Sequence, residues 1–144
     1  MIAVFNGVNL NMLGQRDPAQ YGTLTLSELE SQVYAWAGER SMTARCFQTN
    51  HEGVLIDHIH ECRGWANGLI INPGAWTHYS YAIRDALEIF TAPKVEVHLS
   101  DIMQREEWRR HSVIADVMDH RISGHGPDGY REALDWLQEA IAHA

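Results

Sequence analysis

Apolar positions in this chain follow two rhythms, short continuous runs and longer stretches in which they recur every three or four residues. Ile2 to Phe5 is a run of the first kind, and so is Gly68 to Ile71, stopped by Asn72-Pro73-Gly74. Such runs fit strands buried on both faces of a parallel sheet. Thr43 to Thr49 reads as a weaker strand and Val95 to Leu99 as a fourth. Leu26, Leu29, Val33 and Trp36 share one helical face to about Arg40, behind Thr25-Leu26-Ser27-Glu28, a capping box. Leu55, Ile59, Cys62 and Ala66 mark another helix after a loop at Asn50 to Gly53, and Ala82, Ile83, Ala86, Leu87 and Phe90 mark the next. A short arginine-rich helix is expected near Arg105 to His111. Val113 to Ile122 has no clear period, and a fifth strand is placed at His120 to Ser123. Tyr130, Leu134, Leu137 and Ile141 define the last helix after a turn at Gly124 to Gly129. Strands alternating with helices predict one α/β domain over residues 1–144, a parallel sheet covered on both sides.

The stretch from Phe5 to Gly22, FNGVNLNMLGQRDPAQYG, has neither rhythm and reads as a long loop. Long structureless loops in compact domains are usually functional or mobile. It carries Asn9, Arg16 and Tyr21. A tyrosine hydroxyl is a poor base at neutral pH unless a neighbouring cation favours the phenolate. Arg16 is such a cation, and Arg105 offers a second. The plainer alternative is a tyrosine packed on Pro18 with Arg16 in solvent.

Polar residues gather where strands end: NGVN after the first, INPGAWTH after the third, HLSD after the fourth. In open α/β sheets, ligands bind beyond the carboxyl ends of the strands, where strand order reverses. With an assumed order 2-1-3-4-5, the three ends meet in one crevice. The fourth strand, KVEVHLS, puts Val95, Val97 and Leu99 on one face and Glu96, His98 and Ser100 on the other. Burying a carboxylate and an imidazole is costly unless they are paired. Glu96, two residues from His98, is placed to orient it and hold a proton on it, as a general acid requires. An edge strand with one wet face is the alternative.

Arg105 and Arg109, four apart, would share a helical face and suit a carboxylate or hydroxyl ligand. Solvated arginines balanced by Glu106 and Glu107 are the alternative. Ser100 and the amide after Leu99 suit a carboxylate nest or an ordinary turn. Asn72 offers a donor and an acceptor. His78 and Asp85 also read as a helix cap and a solvated helix residue. His58 and His60, two apart on a helix, face different ways and make no metal site. GHGPDG at Gly124 lacks the lysine of a phosphate loop.

Composition narrows the field. A formal charge of −8 argues against a nucleic-acid or anionic-membrane binder. No apolar run is long enough to span a bilayer. No signal peptide is recognisable at the N-terminus, and a cytoplasmic location is expected. Cys46 and Cys62 have no zinc or redox spacing. Lys94 is the only lysine and opens a strand, which argues against a Schiff-base mechanism.

Together, NGVNLNMLGQRDPAQYG, INPGAWTHYSYAIRDAL, VEVHLSDIMQREEWRRHS and GPDGYREAL resemble the type II 3-dehydroquinate dehydratases over nearly the whole chain. The resemblance implies a flavodoxin-like fold and dehydration of 3-dehydroquinate to 3-dehydroshikimate without metal or cofactor. It implies Tyr21 as base, Arg16 as its activating cation, His98 as acid with Glu96 orienting it, and Asn9 as holder of the water that stabilises an enolate. Asn72, His78, Arg109 and the Leu99-Ser100 segment match substrate contacts. Asp85 matches a residue reaching the neighbouring subunit's site in trimers that assemble into dodecamers. Val8 replaces the family's usual proline, which should loosen the loop. Asp101 replaces its usual asparagine, which puts a negative charge beside the anion-binding segment. The competing reading is a non-catalytic flavodoxin-like module that binds a small carboxylate or nucleotide.

Overall fold

The computed structural model describes residues Met1–Ala144. Five strands, β1 (Ile2–Asn6), β2 (Ala44–Gln48), β3 (Gly68–Asn72), β4 (Lys94–His98) and β5 (His120–Ser123), form one sheet. Its order is β2-β1-β3-β4-β5, with every neighbour parallel. β1, β3 and β4 are buried at every position; the sequences of β1 and β3 are accordingly nearly continuous apolar runs, whereas β4 buries Lys94, Glu96 and His98 among its valines. β4 lies inside the sheet and not at its edge, so the wet-edge reading of that strand is excluded.

Helices α2 (Leu26–Glu39) and α5 (Asp128–Ala142) cover one face of the sheet. Leu29, Val33, Tyr130, Leu134 and Leu137 pack there with Val4, Ile70, Val95 and Val97. Helices α3 (Glu52–Cys62) and α4 (Tyr81–Ile89) cover the other, with Leu55, Ile59, Ile83 and Leu87 against Ala3, Phe5, Leu69 and Ile71. The predicted capping box opens α2: the Glu28 amide donates to Thr25 Oγ1 at 3.2 Å and the Thr25 amide to Glu28 Oε1 at 3.1 Å.

Two local expectations need correction. The stretch after β1 is not without structure. Leu10–Met12 forms a 3-10 turn and Pro18–Tyr21 a single helical turn, α1, started by Asp17, which accepts the Ala19 amide at 3.0 Å. The arginine-rich helix is broken into two 3-10 turns, Ile102–Gln104 and Glu107–Arg110, with Arg105 extended between them. Arg105 and Arg109 therefore share no helical face.

Candidate active site

The strand order reverses at β1, whose neighbours β2 and β3 lead the chain in opposite directions. The crevice at this switch point holds about 580 Å³ of empty space and is open to solvent. Tyr21, Arg16 and Asn9 reach it from the segment after β1, Asn72 from the last position of β3, and His78 from the turn that follows. His98, Leu99 and Ser100 line it from the end of β4, with Arg105 and Arg109 beyond. Glu96 lies behind His98, out of the crevice. Asp85 is on the exposed face of α4 and belongs to no wall of this crevice.

Close backbone packing brings the first and third strand ends together. A Cβ on Gly7 would sit 2.4 Å from the Pro73 carbonyl oxygen, and one on Gly74 would sit 2.5 Å from that of Val8. Gly74 also has φ of +65°, a conformation costly to any residue with a side chain. Beneath this contact, the fully buried Tyr130 hydroxyl donates to Asn6 Oδ1 at 2.5 Å and accepts from Asn72 Nδ2 at 3.2 Å. Asn72 Oδ1 accepts the Gly74 amide at 3.1 Å. Asn72 is thereby fixed in one amide orientation while it faces the crevice. Burial drives the Tyr130 hydroxyl well above its ordinary pKa, against the opposing hydrogen bond from Asn72, so it stays neutral.

The two arginines near Tyr21 take different positions. Arg16 lies over the ring, its guanidinium carbon 3.9 Å from the centroid. Arg105 donates to the Tyr21 hydroxyl at 3.1 Å and to Ser100 Oγ at 3.1 Å. The sequence pairs Arg16 with Tyr21 and offers Arg105 as a second cation, without saying which of them meets the phenol oxygen. Both cations adjoin Tyr21, Arg105 through the hydroxyl and Arg16 through a cation–π contact.

His98 and Glu96 are 5% and 0% exposed. The imidazole Nε2 lies 2.5 Å from Glu96 Oε2. A carboxylate can only accept here, so Nε2 carries a proton, and Nδ1 makes no hydrogen bond within the chain. Thr77 Oγ1 and Ser112 Oγ also donate to Glu96 Oε2, at 2.6 and 2.9 Å. Burial is the largest influence on the Glu96 carboxyl and pushes its pKa up. The donors and the His98 charge together outweigh it and hold the group below the usual carboxylate value.

His78 is fixed by Nδ1, which donates to the His111 carbonyl at 2.6 Å, and by an edge contact with Trp108. Its pKa is lowered, first by burial and then by the charges of His98 and Arg109, against the His111 hydrogen bond. The unmatched charge at Asp101 turns away from the crevice. Its carboxylate accepts the Met103 amide at 3.0 Å and caps the following turn. Lys94 is at the amino end of β4, its Nζ donating to the Phe90 carbonyl at 2.6 Å. No group of three His, Cys, Asp or Glu side chains stands where it could hold a metal ion, and no helix is long and apolar enough to cross a membrane.

Thr77, Ser112, Asn6 and Tyr130 were not singled out from sequence. The helical spacing marks Tyr130 only as a core residue. Its hydroxyl, on a face otherwise aliphatic, is the available signal, since a buried tyrosine needs a partner.

A flavodoxin-like domain whose switch-point crevice joins a phenol, a carboxylate-backed imidazole and three guanidiniums is an α/β domain equipped for acid–base work on a small anion. The family model described as Dehydroquinase class II matches residues 1–138. The 3-dehydroquinate dehydratase of Pelobacter propionicus is 53% identical over 134 residues, 92% of this chain and 90% of that protein. That of Thermotoga neapolitana is 52% identical over 143 residues, 99% of this chain and 97% of that one. The crystal structure of type II dehydroquinase from Butyrivibrio crossotus superposes with a TM-score of 0.93 at 43% identity, covering 94% of this chain and 95% of that one. The chain belongs to the class II dehydroquinase family of enzymes.

Proposed function

We propose that this enzyme dehydrates 3-dehydroquinate to 3-dehydroshikimate through an enolate, with Tyr21 as base and His98 as acid. The substrate's ketone acidifies the neighbouring C–H. The Tyr21 phenolate takes that proton and the electron pair moves into the carbonyl, giving an enolate. The enolate then collapses, the C–O bond to the ring hydroxyl breaks, and the leaving oxygen takes a proton from His98 and departs as water. A proton returned from Tyr21 to His98 through solvent closes the cycle.

The observation that carries this reading is that Tyr21 and His98 line one crevice, each held by a charged partner, Arg105 for the phenol and Glu96 for the imidazole. Hydrogen bonding from a cation favours the phenolate, and an adjacent carboxylate favours the imidazolium. Asn9 is assigned to the water that stabilises the enolate. Arg109, Asn72, His78 and the Leu99-Ser100 segment are assigned to the substrate's carboxylate and hydroxyls. No metal or cofactor takes part in these steps. Arg16 approaches Tyr21 from the ring face and supplies a second positive charge. We also assign the enzyme to trimers assembled into a dodecamer, in which exposed Asp85 reaches the neighbouring subunit's crevice.

Mixing the protein with 3-dehydroquinate and following the ultraviolet absorbance of the conjugated product tests the activity. An inactive wild type would favour a binding module of the same fold. Tyr21→Phe should abolish turnover with an unchanged circular dichroism spectrum, and near-normal turnover would remove Tyr21 from the role of base.

A further inference from the structure

Glu96 Oε2 accepts three hydrogen bonds in a fully buried setting, one from its expected partner and two from residues that do not line the crevice. His98 Nε2 is at 2.5 Å, Thr77 Oγ1 at 2.6 Å and Ser112 Oγ at 2.9 Å, with Ser112 Oγ also 3.0 Å from Oε1. Thr77 comes from the 3-10 turn Gly74–His78 and Ser112 from the segment that follows Arg109. The Val113 amide donates to the Thr77 carbonyl at 2.7 Å, which pins the two segments to each other. Each hydroxyl has one proton to give. The two oxygens are 3.1 Å apart, and in the arrangement that satisfies the carboxylate both protons point at Glu96.

We propose that Thr77 and Ser112 are positioning residues for the proton donor: their hydroxyls hold Glu96 as an anion, so that the proton between Glu96 and His98 stays on the imidazole. In a dry site a carboxylate and an imidazolium compete with a neutral pair, in which the proton has crossed to the carboxyl. Hydrogen bonds to the charged form decide that competition. Without the two hydroxyls, Glu96 would keep His98 as its only close donor. The pair would drift toward neutral acid and neutral imidazole, and neutral imidazole is a far weaker acid.

Other titratable and charged groups stand near the pair. His78 stands on the turn that carries Thr77. Arg109 adds a positive charge near His78, and Arg121 stands opposite Glu96 in register on β5. The two arginines favour the carboxylate, and His78, its pKa lowered, stays neutral near pH 7; none of the three makes a hydrogen bond to Glu96, so none can aim it at His98. The depressed carboxyl of Glu96, low in spite of burial, agrees with this division of labour.

The inference rests on His98 being the acid, so its test reads the proton directly as well as the rate. Carbon-13 signals of the Glu96 carboxyl and nitrogen-15 signals of His98 would be followed against pH in free wild type, Ser112→Ala, Thr77→Val and the double variant. The carboxyl titration should move up by about one to two units in the double variant. With 3-dehydroquinate, kcat should fall about 10- to 100-fold while KM changes less than about threefold, and Ser112→Thr should restore it. Ser112→Ala alone changes a half-buried side chain on an irregular segment and carries the same expectation at smaller size if the double variant does not fold. An unmoved carboxyl titration in a folded variant overturns the proposal, as does a raised KM with unchanged kcat. An inactive wild type with a shifted titration would sink the dehydratase reading and leave the proton's location established.

Discussion

Arg105 donates a guanidinium N–H to the Tyr21 hydroxyl at 3.1 Å from 84 residues further along the chain. Because it also holds Ser100 Oγ, it ties the segment after β1 to the end of β4. A hydrogen bond from a charged donor to a phenolate contributes about 1.5–3 kcal/mol. If Tyr21 is the base, Arg105→Gln should lower kcat about 10- to 150-fold. Arg105→Lys should recover only part of this, since an ammonium cannot span both oxygens in the same fork. Steady-state rates on the three proteins decide it, and equal kcat in all three would remove Arg105 from the base's surroundings.

That contact shows where sequence reading stops. Helix and strand periods are local, so the strands, the capping box at Thr25 and the alternation along β4 were legible. The crevice followed from strand ends once an order was assumed, and the observed order agrees. Which cation meets which oxygen depends on how two irregular segments fold toward each other, and irregular segments have no period to read. Proximity in sequence pairs Arg16 with Tyr21 but does not tell the ring face from the oxygen, and a four-residue spacing suggests a helix for Arg105 and Arg109 that the backbone does not form. Thr77 and Ser112 escaped for the same reason: nothing in either neighbourhood says that a hydroxyl must meet a carboxylate.

Gly7 and Gly74 let two crevice walls touch through backbone alone. A methyl at Gly7 would meet the Pro73 carbonyl, which cannot rotate away. Gly7→Ala and Gly74→Ala should each lower stability by roughly 1–3 kcal/mol through overpacking, with added backbone strain at Gly74. Because Asn72 and His78 flank this contact, KM should rise in both variants. Urea midpoints near wild type would show that the strand ends separate more easily than the packing implies.

Acid should weaken the fold in two stages. The His78 pKa is lowered in the folded chain from its usual 6.5. The unfolded chain therefore binds the proton first, and stability drops as pH falls from about 6.5 toward the folded value. Glu96 is lowered from 4.5. Its contribution is complete above that value and is lost as pH falls through the folded one. Urea midpoints measured against pH should lose the first stage in His78→Asn and the second in Glu96→Gln. The second variant should also lose about 10²- to 10⁴-fold in kcat if His98 is the acid. Persistence of the first stage in His78→Asn would assign it to another group.

Tyr130 joins the crevice to the core between the sheet and helices α2 and α5. Its hydroxyl is the only hydrogen-bond partner of Asn6 Oδ1 and holds Asn72 Nδ2. Tyr130→Phe keeps the ring and its packing but leaves a buried oxygen and a buried N–H unsatisfied, which costs roughly 1–3 kcal/mol for each group fully stranded. Asn72 would then be held only by the Gly74 amide on its oxygen. Loss of one amide orientation should weaken ground-state binding more than the chemical step, so KM is expected to rise about tenfold with kcat within about threefold of wild type. The split between the two constants is the measurement that matters: a stability loss with both unchanged would confine Tyr130 to the core, and a fall in kcat alone would place Asn72 closer to the reacting atoms than the proposed binding role requires.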